Sequence, residues 1–423
     1  MELILSMSNL KKSKGELSVS QHNRIFCKRA VEISFFALVI TLFFLNQGHS
    51  QSDVFTTPAK QAILLDAQTG VTLYEHNSDE LMVPSSMTKI MTVYMIFKRL
   101  HEGSLSLDDT FYVSEKAWRK GGSKMFVELG SRIKVKDLLL GIVVQSGNDA
   151  CVVMSEGLAG TEEAFAVSMN RMAHEIGAKS VHFLNANGWP DEGHLCSTRD
   201  LAIIALRTVQ DFPHLYKEFY SVSEFTYNKI RQQNLNPLLG VGIGGDGLKT
   251  GHTDAGGFGL VGSAIDKNGR RLVMVINGLP SKKARKEESI KLLQYGFRAF
   301  DSILIFRKGE IVSSGDVWLG DKPSIRLAAN HDIWATIASH ERDKLKVELV
   351  MKGPIQAPVK AGDPVAKLII TGSSLQKPFE VPLVAAEDVG KSGIFGRIKA
   401  AVLYLLLGHN PLESEEGTVR AKR

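Results

Sequence analysis

The amino-acid sequence predicts an α/β domain, followed by a small all-β sandwich and a C-terminal amphipathic helix. Helical apolar spacing and short strand-like runs are mixed up to about residue 300. Turn-bounded apolar runs then fill residues 303–389, and a one-sided apolar pattern begins after Lys391. The 423 residues suffice for two or three domains, and a content of 44% hydrophobic and 23% charged residues is ordinary for a globular protein.

The first fifty residues have the pattern of an export signal. Six Lys or Arg residues between Lys11 and Arg29 precede an apolar run over residues 35–45. This run is shorter than the ~20 residues that a membrane-spanning helix needs. Gly48 and Ser50 then place small residues at alternate positions, so we expect signal peptidase to cut after Ser50. An uncleaved anchor is the alternative, and in either case the bulk of the chain leaves the cytosol.

Net charge and cysteine content indicate which classes of binding partner and cofactor to expect. The leader has six basic and three acidic residues, so about +3 of the chain's net charge of +6 belongs to the exported part. Such mild basicity does not indicate a nucleic-acid-binding protein; it suits an acidic surface or an anionic substrate. The sequence has no Cys/His metal spacing, and we expect no metal or other cofactor. For Cys151 and Cys196 we favour buried free thiols over the disulfide that export would permit.

The α/β domain, expected over residues 51–301, starts with strands and continues with helices. Met87, Met91 and Met95 recur at helical spacing, which indicates core packing of the first long helix. Asn-Gly between two apolar runs near residue 268 is a strong hairpin signal. The expected elements are strands over 62–66 and 72–74, helices over 86–100, 135–144 and 150–159, and a hairpin of strands over 258–265 and 271–279.

The β-sandwich is expected over residues 302–390. Short runs rich in Val, Ile and Leu, such as residues 346–349 and 366–370, are separated there by Gly, Pro and Asp. This segment contains no constellation of residues that indicates chemistry.

An amphipathic helix is expected over residues 391–409, with a polar tail over 410–423. Its apolar side chains share one broad face, and the basic residues lie off that face. From Ile394 to Gly408 such a helix is about 22 Å long, too short for a ~30 Å hydrocarbon core. We therefore expect it to lie in the membrane interface. The alternative is a helix docked on the protein's own core.

Ser86 and Lys89 are the first candidates for chemistry. A lysine three residues after a serine places both side chains on one face of a helix. The serine becomes a nucleophile when a base takes its proton, and lysine can be that base if burial and a neighbouring cation keep its amine neutral. Ser85 has no lysine at this spacing. The spacing alone is weak, because Ser8–Lys11 and Ser374–Lys377 share it.

Two further motifs could complete a site. Ser146 and Asn148 flank a glycine at a break between predicted helices, where the serine could relay a proton and the asparagine could hold Lys89 and a substrate amide. Lys249 and Thr250 begin the single KTG of the chain and could bind a carboxylate by charge-assisted hydrogen bonds. The motif's glycine would let a substrate backbone approach, and Lys249 could be the second cation that keeps Lys89 neutral. In isolation, the Ser-Gly-Asn motif is more simply a helix-ending turn, and the KTG motif is more simply an exposed strand end.

In the order SxxK, SxN, KTG, the three motifs together are a specific signal. The chain resembles the serine penicillin-recognising enzymes, and more closely the low-molecular-mass penicillin-binding proteins that are D-alanyl-D-alanine carboxypeptidases. This resemblance extends over about residues 56–408 and implies a serine β-lactamase/DD-peptidase-like catalytic domain, an antiparallel sheet with helices on both faces. The finer match is carried by PSSMTKIMT, GGSKMFVELG, QSGNDA, LKTGHTDAGG, EFTYN and DVWLG.

The resemblance implies a role for each catalytic candidate. Ser86 would attack the peptide bond between two D-alanines and form an acyl-enzyme, with Lys89 as general base. Ser146 would pass a proton to the leaving amine, and Asn148 would orient these groups.

The resemblance also implies the ligands and their binding residues. Lys249 and Thr250 would bind the terminal carboxylate beside Gly251, and the backbone N–H groups of Ser86 and His252 would form an oxyanion hole. The substrate would be a peptidoglycan stem peptide ending in D-Ala-D-Ala. β-Lactam antibiotics would acylate Ser86 because they imitate that end. The expected location is the outer, periplasmic face of the cytoplasmic membrane, reached through the C-terminal helix.

Two departures from the family pattern keep alternatives open. Ser85 stands where the family usually has Ala. Glu224 and Asn228 have the spacing of the deacylation motif of class A β-lactamases, although Tyr227 replaces its Leu and the alternation with Phe225 favours a structural strand. A β-lactamase and a non-catalytic cell-wall scaffold are therefore the alternatives. The extra β-domain and anchor helix argue against the first, and the intact motifs argue against the second.

Overall fold

In the computed structural model, the described residues are 55–372, 378–394, the single positions 396, 398 and 402, and 417–420. The export signal predicted over residues 1–50 lies outside them. Within the described residues, no helix has the length and apolar character needed to cross a membrane. All elements below belong to one unit of the chain, Thr57–Arg423.

The first domain contains both helices and strands, whereas the second consists almost entirely of strands. The α-helices are α1 Lys89–His101, α2 Glu115–Arg119, α3 Val135–Gln145, α4 Asn148–Ala159, α5 Glu162–Glu175, α6 Thr198–Asp211, α7 Pro213–Tyr220 and α8 Lys282–Ala299. The first domain has strands β1 Gln61–Asp66, β2 Thr72–His76, β3 Thr110–Tyr112, β4 Arg132–Lys134, β5 Glu224–Tyr227, β6 Ile230–Gln233, β7 Gly245–Thr253, β8 Gly257–Ile265 and β9 Arg271–Leu279. The second has β10 Phe300–Phe306, β11 Ile311–Trp318, β12 Ser324–Ala329, β13 Ile333–Ala338, β14 Lys346–Met351, β15 Ile355–Gln356, β16 Pro364–Thr371, β17 Phe379–Ala385 and β18 Gly417–Arg420.

A five-stranded antiparallel sheet forms the centre of the first domain, in the order β2-β1-β9-β8-β7. β8 and β9 are the hairpin that the Asn-Gly signal predicted. In its turn, the Asp266 carboxylate accepts hydrogen bonds from the backbone N–H groups of Asn268 and Arg270, at 2.8 and 2.9 Å. The edge strand β7 carries the KTG motif, so this motif lies at the border of the sheet.

Helices cover both faces of this sheet. Ile63 and Leu65 of β1 belong to the large apolar core that includes α1 and α6. Leu64 points the other way, because successive side chains of a strand alternate between its faces. It contacts α8 so closely that a Cβ added to Gly296 would lie 2.5 Å from its Cδ2. The predicted antiparallel sheet between helices is therefore confirmed.

The helix that carries the predicted base begins later than expected. The apolar spacing predicted a helix from Ser86, but Ser85–Thr88 form a 3-10 turn and α1 begins at Lys89. The backbone of Ser85 is left-handed, with φ of 52°, and an i→i+3 backbone hydrogen bond of 3.1 Å closes the turn. Apolar spacing does not show a left-handed residue, so the pattern merged the turn with the helix.

The second domain consists of strands, as predicted. The strands β15-β11-β12-β17-β16-β14-β18 form one sheet, and β10 pairs with β13 in another. Ile305 and Ile333 of the small sheet share an apolar core with Leu327, Leu368 and Leu383 of the large one. Two sheets thus enclose one core, separate from the core of the first domain.

Most of the amphipathic helix predicted over residues 391–409 lies outside the described residues. Ile394, Ile398 and Val402 have helical backbone, and their side chains are 74%, 55% and 48% exposed. The helix as a whole stays a prediction. Further along the tail, β18 pairs antiparallel with β14, which adds a strand where we expected only polar sequence.

Candidate active site

Ser86 lies in the 3-10 turn before α1 and lines a cleft. Its hydroxyl oxygen is 2.9 Å from the Lys89 amine nitrogen. Side chains three residues apart eclipse in a 3-10 turn, so the spacing brings the pair together although the turn is not yet α-helix. The neighbouring Ser85 takes no part in this pair. It is buried, and its hydroxyl oxygen lies 3.0 Å from that of Thr253 at the end of β7.

Lys89 is fully buried, and its amine has three polar contacts. Besides Ser86, they are the side-chain oxygen of Asn148 at 2.8 Å and the backbone oxygen of Asn187 at 2.5 Å. A neutral amine has two N–H bonds and one lone pair, whereas both of these oxygens are acceptors only. If they take the two N–H bonds, the lone pair faces the Ser86 hydroxyl. This arrangement suits a general base.

Burial lowers the pKa of Lys89 to about 8. The ammonium of Lys120 contributes to this lowering, whereas Cys151, Asp149 and Glu162 act in the opposite direction. Lys120 is a neighbouring cation that was not predicted from the sequence, whereas the predicted cation, Lys249, also repels Lys89. Lys249 is itself buried, and burial followed by repulsion from Lys89 lowers its pKa well below the ordinary value.

The Ser-Gly-Asn motif lies at the junction of α3 and α4. Ser146 ends α3 in a left-handed conformation, with φ of 63°, and lines the same cleft as Ser86. Asn148 begins α4; its amide nitrogen donates to the Gly121 carbonyl at 2.9 Å while its oxygen accepts from Lys89. The motif thus brings a hydroxyl to the cleft and fixes one acceptor for the Lys89 amine.

Asp149 supports this junction, and no role was predicted for it from the sequence. Its buried carboxylate accepts backbone N–H bonds from Met125, Phe126 and Val127 at 2.9 to 3.2 Å. These bonds fix the loop that also supplies the Gly121 carbonyl to Asn148. The adjacency of Asn and Asp at the start of a predicted helix was the available signal, since such residues often bond nearby backbone groups.

The KTG motif faces the nucleophile turn from β7. Lys249, Thr250 and Gly251 are buried, and the Lys249 amine donates to the Thr250 carbonyl at 3.1 Å. A Cβ on Gly251 would lie 2.9 Å from Met87 Cγ. The glycine was expected to let a substrate approach the strand, and it also lets the strand itself lie close to the nucleophile turn. The exposed His252 ring stacks on Phe258, with ring centroids 3.9 Å apart.

The cleft between these elements has a volume of about 550 Å³. It brings Ser86 and Ser146 together with Thr250, Gly251 and His252. Arg285 of α8 also lines it, and sequence reasoning missed this residue because no motif surrounds it. Burial lowers the pKa of Arg285 to about 10, and its Nε atom has no hydrogen-bond partner among the described residues. A second cationic side chain is therefore available to an anionic ligand.

The Glu224 and Asn228 spacing is structural, as interpreted from the sequence. β5 and β6 form a hairpin, and Asn228 lies in its turn with φ of 47°. Glu224 forms a salt bridge with Arg231, and the Asn228 amide donates to Glu128 at 3.0 Å. Neither side chain lines the cleft.

Cys151 and Cys196 are both free and buried, so the favoured interpretation of two thiols is confirmed. Burial raises the pKa of the Cys151 thiol to about 12. A thiol with so high a pKa is a poor nucleophile at neutral pH.

The antiparallel sheet between helices, the Ser–Lys pair and the KTG edge strand define a serine enzyme of the penicillin-recognising class. The model of the D-alanyl-D-alanine carboxypeptidase family matches residues 47–280. That of the penicillin-binding protein 5 C-terminal domain matches residues 300–391. This chain belongs to the D-alanyl-D-alanine carboxypeptidase family.

Known relatives resemble both domains. The chain is 35% identical over 383 residues to D-alanyl-D-alanine carboxypeptidase DacA of Haemophilus influenzae, covering 88% of this chain and 96% of that protein. Penicillin-binding protein 5 of the same organism has a solved structure with a TM-score of 0.75 and 35% identity, covering 80% of this chain and 99% of that one. Penicillin-binding protein D2 of Listeria monocytogenes, solved in an ampicillin-bound form, has a TM-score of 0.53 and 27% identity, covering 57% and 99%.

Proposed function

We propose that this chain is a serine-type D-Ala-D-Ala carboxypeptidase that removes the terminal D-alanine from peptidoglycan stem pentapeptides through an acyl-enzyme on Ser86. The observation that carries the proposal is the contact of 2.9 Å between Ser86 and a buried Lys89 whose other two contacts are acceptors. The proposed chemistry uses only side chains of the chain, backbone N–H groups and water.

Acylation follows from the arrangement of Ser86 and Lys89. The Lys89 lone pair takes the Ser86 hydroxyl proton as the oxygen attacks the carbonyl carbon between the two D-alanines. The negative charge that develops on the carbonyl oxygen is bound by the backbone N–H groups of Ser86 and His252. Collapse of this intermediate breaks the C–N bond, and the Lys89 ammonium returns its proton through the Ser146 hydroxyl to the leaving D-alanine amine, which leaves Lys89 neutral for the next step.

Deacylation restores the enzyme. Water attacks the ester carbonyl, its proton goes back through Lys89, and the Ser86 hydroxyl is re-formed. The product is a stem peptide shortened by one D-alanine.

The terminal carboxylate of the substrate is bound by Lys249 and Thr250, with Arg285 as a further cation. A carboxylate within ~4–6 Å favours the ammonium form, so substrate binding favours the charged form of Lys249. β-Lactams place a carboxylate and a reactive carbonyl in similar positions, so we extend the proposal to covalent penicillin binding at Ser86.

D-Alanine release from a defined pentapeptide tests this function. We expect wild type to release D-alanine and Ser86→Ala to release none. Mass spectrometry of the penicillin-labelled protein should place the adduct on Ser86. Ser85→Ala is the matched control, since it removes the adjacent hydroxyl and should still carry the adduct on Ser86, although it should label more slowly. Absence of release by wild type, or fast penicillin turnover without a stable adduct, would argue for a scaffold or a β-lactamase instead.

We also propose that the protein is exported and lies on the outer face of the cytoplasmic membrane. The leader pattern supports export. The exposed side chains of Ile394, Ile398 and Val402, each four residues apart, support an apolar helical face that can enter the membrane interface.

Membrane fractionation tests the anchor. We expect deletion of residues 392–423, or the triple change of Ile394, Ile398 and Val402 to Ser, to release the processed protein from membranes while D-alanine release continues. A triple variant that still pelleted with membranes after leader cleavage would rule out this helix as the anchor.

A further inference from the structure

The loop that holds the Lys89 amine is tightly fitted to the nucleophile turn. Asn187 contributes the backbone oxygen that lies 2.5 Å from the amine. The next residue, Gly188, is left-handed with φ of 73°, and a Cβ there would lie 1.8 Å from the backbone oxygen of Ser85. The loop therefore lies so close to the turn that a side chain at position 188 does not fit, and a movement of the loop will move the Asn187 carbonyl relative to Lys89.

A buried carboxylate holds this loop from behind. Glu162, at the start of α5, is 3% exposed. One of its oxygens accepts a hydrogen bond of 2.6 Å from the Asn187 side-chain amide and one of 3.3 Å from the Ala186 backbone N–H. Its other oxygen is 3.5 Å from the Lys116 amine near the surface. A chain of contacts thus runs from Lys116 through Glu162 and Asn187 to Lys89.

Several charged or titratable groups face the Lys89 amine, and Glu162 differs from the others. Lys120 and Lys249 repel its ammonium, whereas the carboxylates of Asp149 and Glu162 and the Cys151 thiol have the opposite effect. The Asp149 carboxylate accepts hydrogen bonds from the backbone N–H groups of the 125–127 loop. Glu162 carries a charge and also accepts a hydrogen bond from the side chain of Asn187, whose backbone oxygen contacts the Lys89 amine.

We propose that Glu162 is a positioning residue for the general base, acting through Asn187 in two ways. Its hydrogen bonds fix the Asn187 carbonyl that orients the Lys89 lone pair toward Ser86. Its charge favours the protonated amine and so shifts upward the pH at which the base becomes available. This inference rests on the proposed function, because it concerns the acylation of Ser86.

Two substitutions separate position from charge. In Glu162→Gln, the amide oxygen can keep both hydrogen bonds while the charge is lost. We expect penicillin acylation at pH 6 to be about three-fold faster than in wild type, because the Lys89 amine loses its proton at lower pH. The limiting rate of acylation at high pH should stay within about two-fold of the wild-type rate. In Glu162→Ala the loop loses its support, and the plateau rate should fall about ten-fold with little change in penicillin affinity. Asn187→Ala should resemble Glu162→Ala, since it removes the same amide contact.

Glu163→Gln is the matched control. It removes the same charge from the adjacent residue of α5, which also pairs with Lys116, at 2.9 Å, but is 72% exposed and lies outside the chain of contacts to Lys89. Its pH profile should overlay that of wild type. A Glu162→Gln profile that also overlays wild type, or an unchanged plateau in both Glu162→Ala and Asn187→Ala, would overturn the proposal. If the alanine variants fail to fold, the pH profile of Glu162→Gln alone tests the proposal.

Failure of this inference about Glu162 can be distinguished from failure of the proposed function. If wild type is not acylated by penicillin at all, the proposed function fails. The inference is then judged by NMR titration of the Lys89 amine in wild type and Glu162→Gln. A lower titration midpoint in the variant supports it, and an unchanged midpoint overturns it.

Discussion

Protonation of a single amine, that of Lys89, governs the reactivity of Ser86. Because burial lowers the pKa of Lys89 to about 8, the amine is mostly protonated at pH 6 and mostly neutral at pH 9. Only the neutral form can accept the hydroxyl proton. We therefore expect the second-order rate of acylation by a fluorescent penicillin to rise about ten-fold per pH unit below 8 and to level off above it. Labelling rates between pH 6 and 9 measure this, and a flat profile would contradict it.

The cation beside Lys89 can be tested in the same way. Lys120 disfavours the Lys89 ammonium, so Lys120→Met should raise the pKa of Lys89 and move the rise in rate to higher pH. Lys124→Met is the control, since Lys124 lies on the same loop and donates to the Trp118 carbonyl instead.

Residues in local motifs could be predicted from sequence, and residues supplied by distant segments could not. Ser86 and Lys89 are three residues apart, so one turn of chain brings them together. Asn187 reaches Lys89 from 98 residues away, through a backbone oxygen that any residue type possesses. Arg285 reaches the cleft from α8, within a basic and acidic helix surface that gives no spacing signal. Such contacts depend on tertiary packing, which local patterns do not encode.

Between elements, the contact of Ser85 with Thr253 ties the nucleophile turn to β7. Each residue is adjacent in sequence to one expected oxyanion donor, Ser86 and His252 respectively. Loss of one buried hydrogen bond costs ~1 kcal/mol. We therefore expect Ser85→Ala to acylate about five-fold more slowly, with unchanged penicillin affinity, because the two N–H groups are less well fixed relative to each other.

A double-mutant cycle checks this prediction. Thr253→Val should have a similar effect, and the double variant should be no slower than the worse single variant, since both remove the same contact. Additive losses would show that the two hydroxyls act independently. Thr253 also accepts the Gly256 N–H bond at 3.0 Å, so a thermal melt of each variant is needed to separate loop unfolding from misalignment.

The strands were easier to predict than the start of the catalytic helix. Apolar runs bounded by Gly, Asn and Asp correctly indicated β1, β8 and β9, because burial on a sheet selects such runs. The 3-10 turn over Ser85–Thr88 depends instead on a left-handed serine packed under Gly188, a contact between segments about a hundred residues apart in the chain.

Across the whole molecule, one buried carboxylate links the two domains. Asp66 at the end of β1 is 0% exposed and forms a salt bridge of 2.9 Å with Arg270. It also accepts a hydrogen bond of 2.7 Å from Ser302 of β10. Thr336 of β13 contacts Ser302 and Thr69 at 3.1 and 2.8 Å. These polar residues are far apart in the sequence, so no pattern predicted their meeting.

Asp66→Asn tests how strongly this junction stabilises the protein. The change keeps the side-chain size but leaves the Arg270 guanidinium, whose side chain is 11% exposed, without its counter-charge. Breaking a buried ion pair by removing one partner costs ~3 kcal/mol or more. We expect the unfolding midpoint in calorimetry to fall by several degrees, while penicillin labelling at 25 °C keeps its wild-type rate because none of these residues lines the active-site cleft. Asp301→Asn, one residue before Ser302, removes the same charge outside this cluster and should melt like wild type. An unchanged midpoint in Asp66→Asn would mean that the Asp66 charge does not stabilise this junction.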